Sequence, residues 1–275
     1  MARSILQYYC GNCDGILKEA EDTISLNTIE PCPFCGTLLS KTLQRRPLNQ
    51  QPKTIYPVFQ KASNFPKLTL DIAQLDSILH FLTLNQKICI EGISAQKLVE
   101  RLCVRAQLPS KYGGLDTKVL LIDGANSSDL YQCVDFAQQY GLDVNKVLNG
   151  IISSRTFTIY QLANLITFEL ESAIKHFDAK LVIITNLLHY TNDPYLDTKE
   201  MERILNQMMS SIEKIKDCLI IVSLNSSTRL YGMIKNIFST TIKIESSYNT
   251  LCIDINNEGR QSTVTLHKDE LEKIQ

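Results

Sequence analysis

The run Lys118-Val119-Leu120-Leu121-Ile122-Asp123 packs four consecutive apolar residues between a lysine and a carboxylate, and residues 87–91, 180–185 and 218–224 hold apolar runs of similar length. An apolar run without the alternation of a half-wet strand is the pattern of a parallel strand covered on both faces. Between these runs, residues 96–107, 129–140, 159–176 and 197–216 repeat apolar side chains at helical spacing, as in Ile204, Met208, Ile212 and Ile215. Strand and helix in alternation predict an α/β core with a mostly parallel sheet flanked by helices over residues 67–275. Residues 240–245, 251–256 and 262–267 have strand spacing, with the turn Asn256-Asn257-Glu258-Gly259 between the last two. They are expected to extend the sheet as antiparallel strands.

Composition narrows the function classes. The 275 residues are 44% apolar and carry 28 basic against 29 acidic side chains, a net charge of -1, which excludes coating of nucleic acid or an anionic membrane by the whole chain. No apolar run approaches the roughly 20 residues of a membrane span, and the first residues lack a hydrophobic signal core, so a cytoplasmic protein without membrane contact is expected. Of the nine cysteines, four fall in two C-x-x-C pairs and five lie among apolar residues.

Cys10 and Cys13, then Cys32 and Cys35, have the spacing of a four-cysteine zinc site. Four thiolates close the tetrahedron and leave no position for water. The zinc is therefore expected to be structural, holding together a ribbon at residues 1–40 too small for a core of its own. Two disulfides or a redox C-x-x-C are the other chemistries open to these residues, and an intracellular chain without a βαβ pattern around either pair favours neither. Residues 41–66 carry Lys41, Arg45, Arg46, Lys53 and Lys61, no acid, and prolines at 47, 52, 57 and 66, the composition of an extended basic linker. Lys41, Arg45 and Arg46 are the candidates for phosphate contact with DNA.

Within the core, Gln107-Leu108-Pro109, Gly113-Gly114-Leu115, the strand ending in Asp123, Asn126, Phe136-Ala137, Gly141-Leu142-Asp143, Val147-Leu148, Ile151, Arg155, Gln161 and Lys180-Leu181-Val182-Ile183-Ile184 follow one another in an order that resembles archaeal RadA and the eukaryotic strand-exchange recombinases. Leu75-Asp76 sits where that family has a Leu-Asp pair. The resemblance runs from about Phe59 onward and implies a RecA-like core. A zinc ribbon stands where the family has its helix-hairpin-helix domain; bacterial RadA/Sms also begins with such a ribbon, but the core here is closer to the archaeal type. The resemblance also implies that Phe59 and Ala62, three residues apart ahead of the core, insert into a neighbouring recombinase core.

The nucleotide site departs from the family. A phosphate loop wraps phosphates in glycine amides, neutralises them with lysine and binds magnesium through a hydroxyl. The matching segment, Glu91-Gly92-Ile93-Ser94-Ala95-Gln96-Lys97-Leu98, keeps Gly92, Ser94 and Lys97 as a vestigial loop. It is one residue short, with Gln96 for the second glycine and Leu98 for the hydroxyl. Ala125 stands where the resemblance puts a water-orienting glutamate, and the strand expected to end in a magnesium-holding aspartate reads Ile183-Ile184-Thr185-Asn186. Losing these groups together predicts no ATP turnover and no catalytic residue. The segment after Leu188 lacks the family's arginines, and the long loop after Leu224 shrinks to residues 225–232. The expectation is a noncatalytic RadA-like paralogue, accessory to a RadA-type recombinase or other recombination proteins. The alternatives are a DNA-dependent ATPase using Lys97 and Asp123 in an unorthodox site, and a zinc-ribbon adaptor of transcription or replication machinery.

Overall fold

The computed structural model describes residues 6–10, 16–20, 31, 37–38, 43–47, 66–192, 196–224 and 230–272. Contacts divide the chain into Met1–Ala62 and Ser63–Gln275.

In the first unit, β1 (Leu6–Cys10) lies between β2 (Ile16–Ala20) and β3 (Leu43–Pro47), antiparallel to both. Tyr8 of β1 is buried. Arg45 and Arg46, read from composition as linker, sit instead on β3, opposite Tyr8 and Gln7. Pro47 ends that strand at the sheet edge, where a missing N–H breaks no ladder.

The second unit opens with a small pair, β4 (Lys67–Leu68) and β5 (Leu82–Thr83), around α1 (Ala73–Leu79). The Asp76 carboxylate accepts the amides of Leu70, Asp71 and Ile72 at 2.8, 2.8 and 3.2 Å, and Leu75 beside it is fully buried, a local reason for the Leu-Asp pair. The parallel strands are β6 (Lys87–Glu91), β7 (Val119–Asp123), β8 (Ile151–Arg155), β9 (Leu181–Thr185), β10 (Leu219–Leu224) and β11 (Thr240–Ser246). With β12 (Thr250–Asn257) and β13 (Arg260–His267) they form one sheet in the order β13-β12-β11-β6-β10-β9-β7-β8. The expectation for the last three strands is corrected in part. β11 runs parallel to β6, and only the pairings β11–β12 and β12–β13 are antiparallel.

Alternation along each buried strand feeds two cores. Val119 and Leu121 pack with α2 (Ala95–Arg105), α3 (Leu130–Gln139) and α4 (Val144–Asn149). Leu120 and Ile122 pack on the other face with α5 (Ile159–Asn164), α6 (Leu170–Phe177) and α7 (Thr198–Lys214). A π-helical turn, Leu165–Glu169, joins α5 to α6. Met201, Met208 and Met209 are buried in α7, as core filler should be. Two short helices, α8 (Tyr231–Ile234) and α9 (Asp269–Glu272), follow β10 and β13. Cys89, Cys103, Cys133 and Cys218 are buried, whereas Cys252 is exposed on β12.

Candidate functional site

Open parallel sheets take ligands beyond the carboxyl ends of their strands. Here that edge gathers Glu91 of β6, Leu224 of β10, Thr185 of β9, Asp123 of β7 and Arg155 of β8.

Only Gly92, Ile93 and Ser94 separate β6 from α2. Gly92 has φ +110°, and a Cβ on it would come within 2.1 Å of the Ile244 carbonyl oxygen in β11. Glycine is required there both by the backbone angle and by that approach. The Gly92 amide donates to the Leu224 carbonyl at 2.9 Å and the Ala95 amide to the Gly92 carbonyl at 3.0 Å. The first amide of the turn and the first amide of α2 are thus bonded inside the protein. Ser94 is the N-cap of α2 but makes no side-chain cap bond. The Gln96 amide group donates to Glu100 at 2.8 Å, Lys97 pairs with Glu272 of α9, and Leu98 is fully buried in the core.

At the next strand ends, Asp123 is 1% exposed and accepts from the amides of Ser128 (2.8 Å), Ser127 (3.1 Å) and Ala125 (3.4 Å) and from the Thr185 hydroxyl (3.1 Å). Burial alone would raise its pKa; the Ser128 and Ser127 amides and the Thr185 hydroxyl outweigh it and hold the carboxyl below its ordinary value. Asn186, in the left-handed region at φ +52°, donates from Nδ2 to the Ser127 hydroxyl at 2.9 Å, and its amide donates to the Ser223 hydroxyl at 3.2 Å. The positions that resemblance assigns to magnesium and water chemistry thus carry hydroxyl, amide and methyl groups tied to one another. Glu91 is also buried, and the Tyr231 hydroxyl bonds to it; burial first, and then that bond, raise the tyrosine pKa.

A magnesium–triphosphate does not fit these residues. The lysine is paired with Glu272, the hydroxyl position is a core leucine, and the Asp123 carboxylate is taken up by four protein donors. The turn therefore offers neither the neutralising charge nor the magnesium ligand that a phosphate loop supplies. A cleft of about 1290 Å³ does open in this unit, but at the amino ends of β7, β8 and β9, beside Tyr112, Lys118, Tyr140 and Phe177.

Of the other sequence-derived candidates, Cys10 ends β1 opposite Leu43, and the Pro31–Leu38 bridge joins the two ends of the stretch that holds the second C-x-x-C. Cys13, Cys32, Cys35, Lys41, Phe59, Ala62 and residues 225–229 lie outside the described residues. Sequence reading missed Glu91, Tyr231 and Ser223 at the carboxyl edge. The one signal was the acid immediately before Gly92.

The sequence matches the Rad51 family over residues 91–228, half of the chain. The chain belongs to the Rad51 family. The matched residues run from the Gly92 turn through the Asp123 network to the end of β10, so they span the carboxyl edge described above. Among similar proteins, the meiotic recombination protein DMC1 homolog A of Oryza sativa subsp. japonica is 29% identical over 124 residues, 44% of this chain and 36% of the relative. The DNA repair and recombination protein RadA of Aeropyrum pernix is 23% identical over 181 residues, 63% of this chain and 56% of that protein. The matches therefore span about a third to just over half of these relatives' lengths. Among the described residues no helix is long and apolar enough to cross a membrane.

Proposed function

We propose that this chain is a noncatalytic Rad51-family protein that works in homologous recombination or DNA repair as an accessory to an active recombinase. The pathway rests on the family match and on the roles that the relatives' names give them, recombination and repair. The noncatalytic role is carried by the Gly92 turn, which is only three residues long and whose Gly92 packs against the Ile244 carbonyl, leaving less chain than a phosphate loop needs to wrap phosphates. In this reading the fold is retained for contact with other macromolecules. Cys10, Cys13, Cys32 and Cys35 hold one structural zinc, Arg45, Arg46 and Lys41 offer charge to DNA or a partner, and Phe59 and Ala62 dock a RadA-type recombinase. An ATPase with an unorthodox site would need Lys97 and Asp123, and both side chains are bonded within the protein.

A phosphate-release assay on the full chain, with and without single-stranded DNA, tests the role. We expect background rates in both. Turnover that Lys97→Ala removes refutes the noncatalytic reading. Mixing with a purified RadA-type recombinase tests the partner: a complex lost on Phe59→Glu supports docking through that residue, and no complex overturns it.

A further inference from the structure

Lys97 is the one cation that the resemblance would give to a phosphate, and the structure gives it another partner. α9 has four residues, far below the length at which a helix holds itself together in water, so its place must come from tertiary contacts. Those contacts converge from four elements. Leu271 is buried at 1% exposure. The Gln74 side chain of α1 donates to the Glu270 carboxylate at 3.0 Å, the His267 amide of β13 donates to the same carboxylate at 2.8 Å, and Gln139 of α3 donates to the Glu272 carbonyl at 3.0 Å.

The fourth element is α2, and it contributes most. Arg101 is fully buried, and its guanidinium donates to the carbonyls of Glu270 and Leu271, both at 3.3 Å, while also holding the Leu70 carbonyl at 3.0 Å and the Asp71 carbonyl at 2.5 Å. A buried guanidinium needs such a full set of acceptors, and the Asp71 carboxylate at 3.2 Å supplies the countercharge. Carbonyls at the end of a helix are natural acceptors for a cation. Lys97 precedes Arg101 by four residues, so both side chains leave the same face of α2, and Lys97 meets the Glu272 carboxylate.

We propose that Lys97 and Arg101 form a two-point clasp that seats α9 on α2, so that the Glu272 carboxylate is the internal anion of a helix whose lysine no longer serves a phosphate. The clasp rests on the reading that no triphosphate occupies the Gly92 turn, and it goes further by assigning Lys97 a use. Arg101 anchors the backbone of α9; the exposed Lys97–Glu272 pair fixes its direction along α2.

Hydrogen–deuterium exchange of the segment 266–275 in the full chain tests this, with Lys97→Glu, Glu272→Lys and the double reversal. Both side chains are nearly half exposed, at 43% and 45%, so the reversals are compatible with folding. An exposed pair is worth up to about 1 kcal/mol, which sets the expected acceleration of exchange at about fivefold in each single variant. The double reversal is expected to return exchange to within about twofold of the original rate. Unchanged exchange in the single variants, or no recovery in the double, overturns the clasp. Binding of a fluorescent ATP analogue with magnesium, measured on the same four proteins, separates the two claims. Saturable binding that Lys97→Glu abolishes gives the lysine back to a phosphate and overturns both. Absence of binding together with failed recovery overturns the clasp alone.

Discussion

Asp123→Ala distinguishes a carboxylate kept for ligand chemistry from one kept for structure. The carboxyl group accepts four hydrogen bonds, and none of the four donors has another acceptor in the contacts described above; the Ser128 amide at 2.8 Å makes the shortest bond and the Thr185 hydroxyl at 3.1 Å the most deeply buried one. Thr185 is fully buried, so water cannot replace the lost partner without opening the sheet edge. A buried donor left unpaired costs about 1–3 kcal/mol, which gives roughly 4 kcal/mol for the two and a fall in Tm on the order of 10 °C for a unit of this size. Asp123→Asn, which keeps one acceptor oxygen but turns an amide donor toward the Ser128 or Ser127 amides, is expected to lose about half as much. The chain has no tryptophan, so urea unfolding is best followed by circular dichroism at reduced thiols. The pH dependence has a definite sign. The folded-state pKa lies below the ordinary 3.8, so the carboxylate's contribution is complete above that value and disappears as pH falls through the folded-state pKa. The gap between the original protein and Asp123→Ala should therefore narrow in acid. A carboxylate retained for a metal or substrate gives the opposite result, since removing a strained functional charge is neutral or stabilising. A variant as stable as the original would refute the structural role.

Gly92→Ala should destabilise the second unit by at least about 2 kcal/mol in the same urea titration, because the new methyl meets both a disfavoured backbone angle and the Ile244 carbonyl at 2.1 Å; a neutral result would mean that the turn opens readily. Glu100, buried on α2, has its pKa raised by that burial, against the opposing bonds from Gln96 and the Asp129 amide. Its ionisation therefore costs stability as pH rises from the ordinary 4.5 through the folded-state value, and Glu100→Gln should gain on the original protein over that range and hold the gain above it. Elemental analysis of the full chain should find one zinc per molecule, and Cys32→Ser should lose it; a metal-free protein with unchanged circular dichroism refutes the zinc assignment.

The interior strands were legible because both faces are apolar. Residues 118–123, 180–185 and 218–224 lie within one residue of β7, β9 and β10. β8 was not legible: Ile-Ile-Ser-Ser-Arg is an edge strand with partial exposure, and an edge needs no second apolar face. The direction of β11 was misread because period-two spacing carries no direction. The crossover through α8 brings the chain back to start β11 beside β6, and that sets it parallel. β3 was hidden by its proline and two arginines, which read as linker until β1 supplied a partner. At the candidate site, what the sequence lacks was readable locally, since each missing group is a side chain at one position. What replaces those groups was not. Asp123 meets Thr185 across 62 positions, Asn186 meets Ser127 across 59, and Lys97 meets Glu272 across 175. Contacts of that range follow from sheet order rather than from any motif.

Calorimetric titration of the full chain with magnesium–ATP tests the central claim most directly. The three-residue Gly92 turn, the paired Lys97 and the core Leu98 predict no saturable heat up to ~1 mM nucleotide. One-to-one binding at micromolar concentration, weakened tenfold or more by Lys97→Ala, would contradict it.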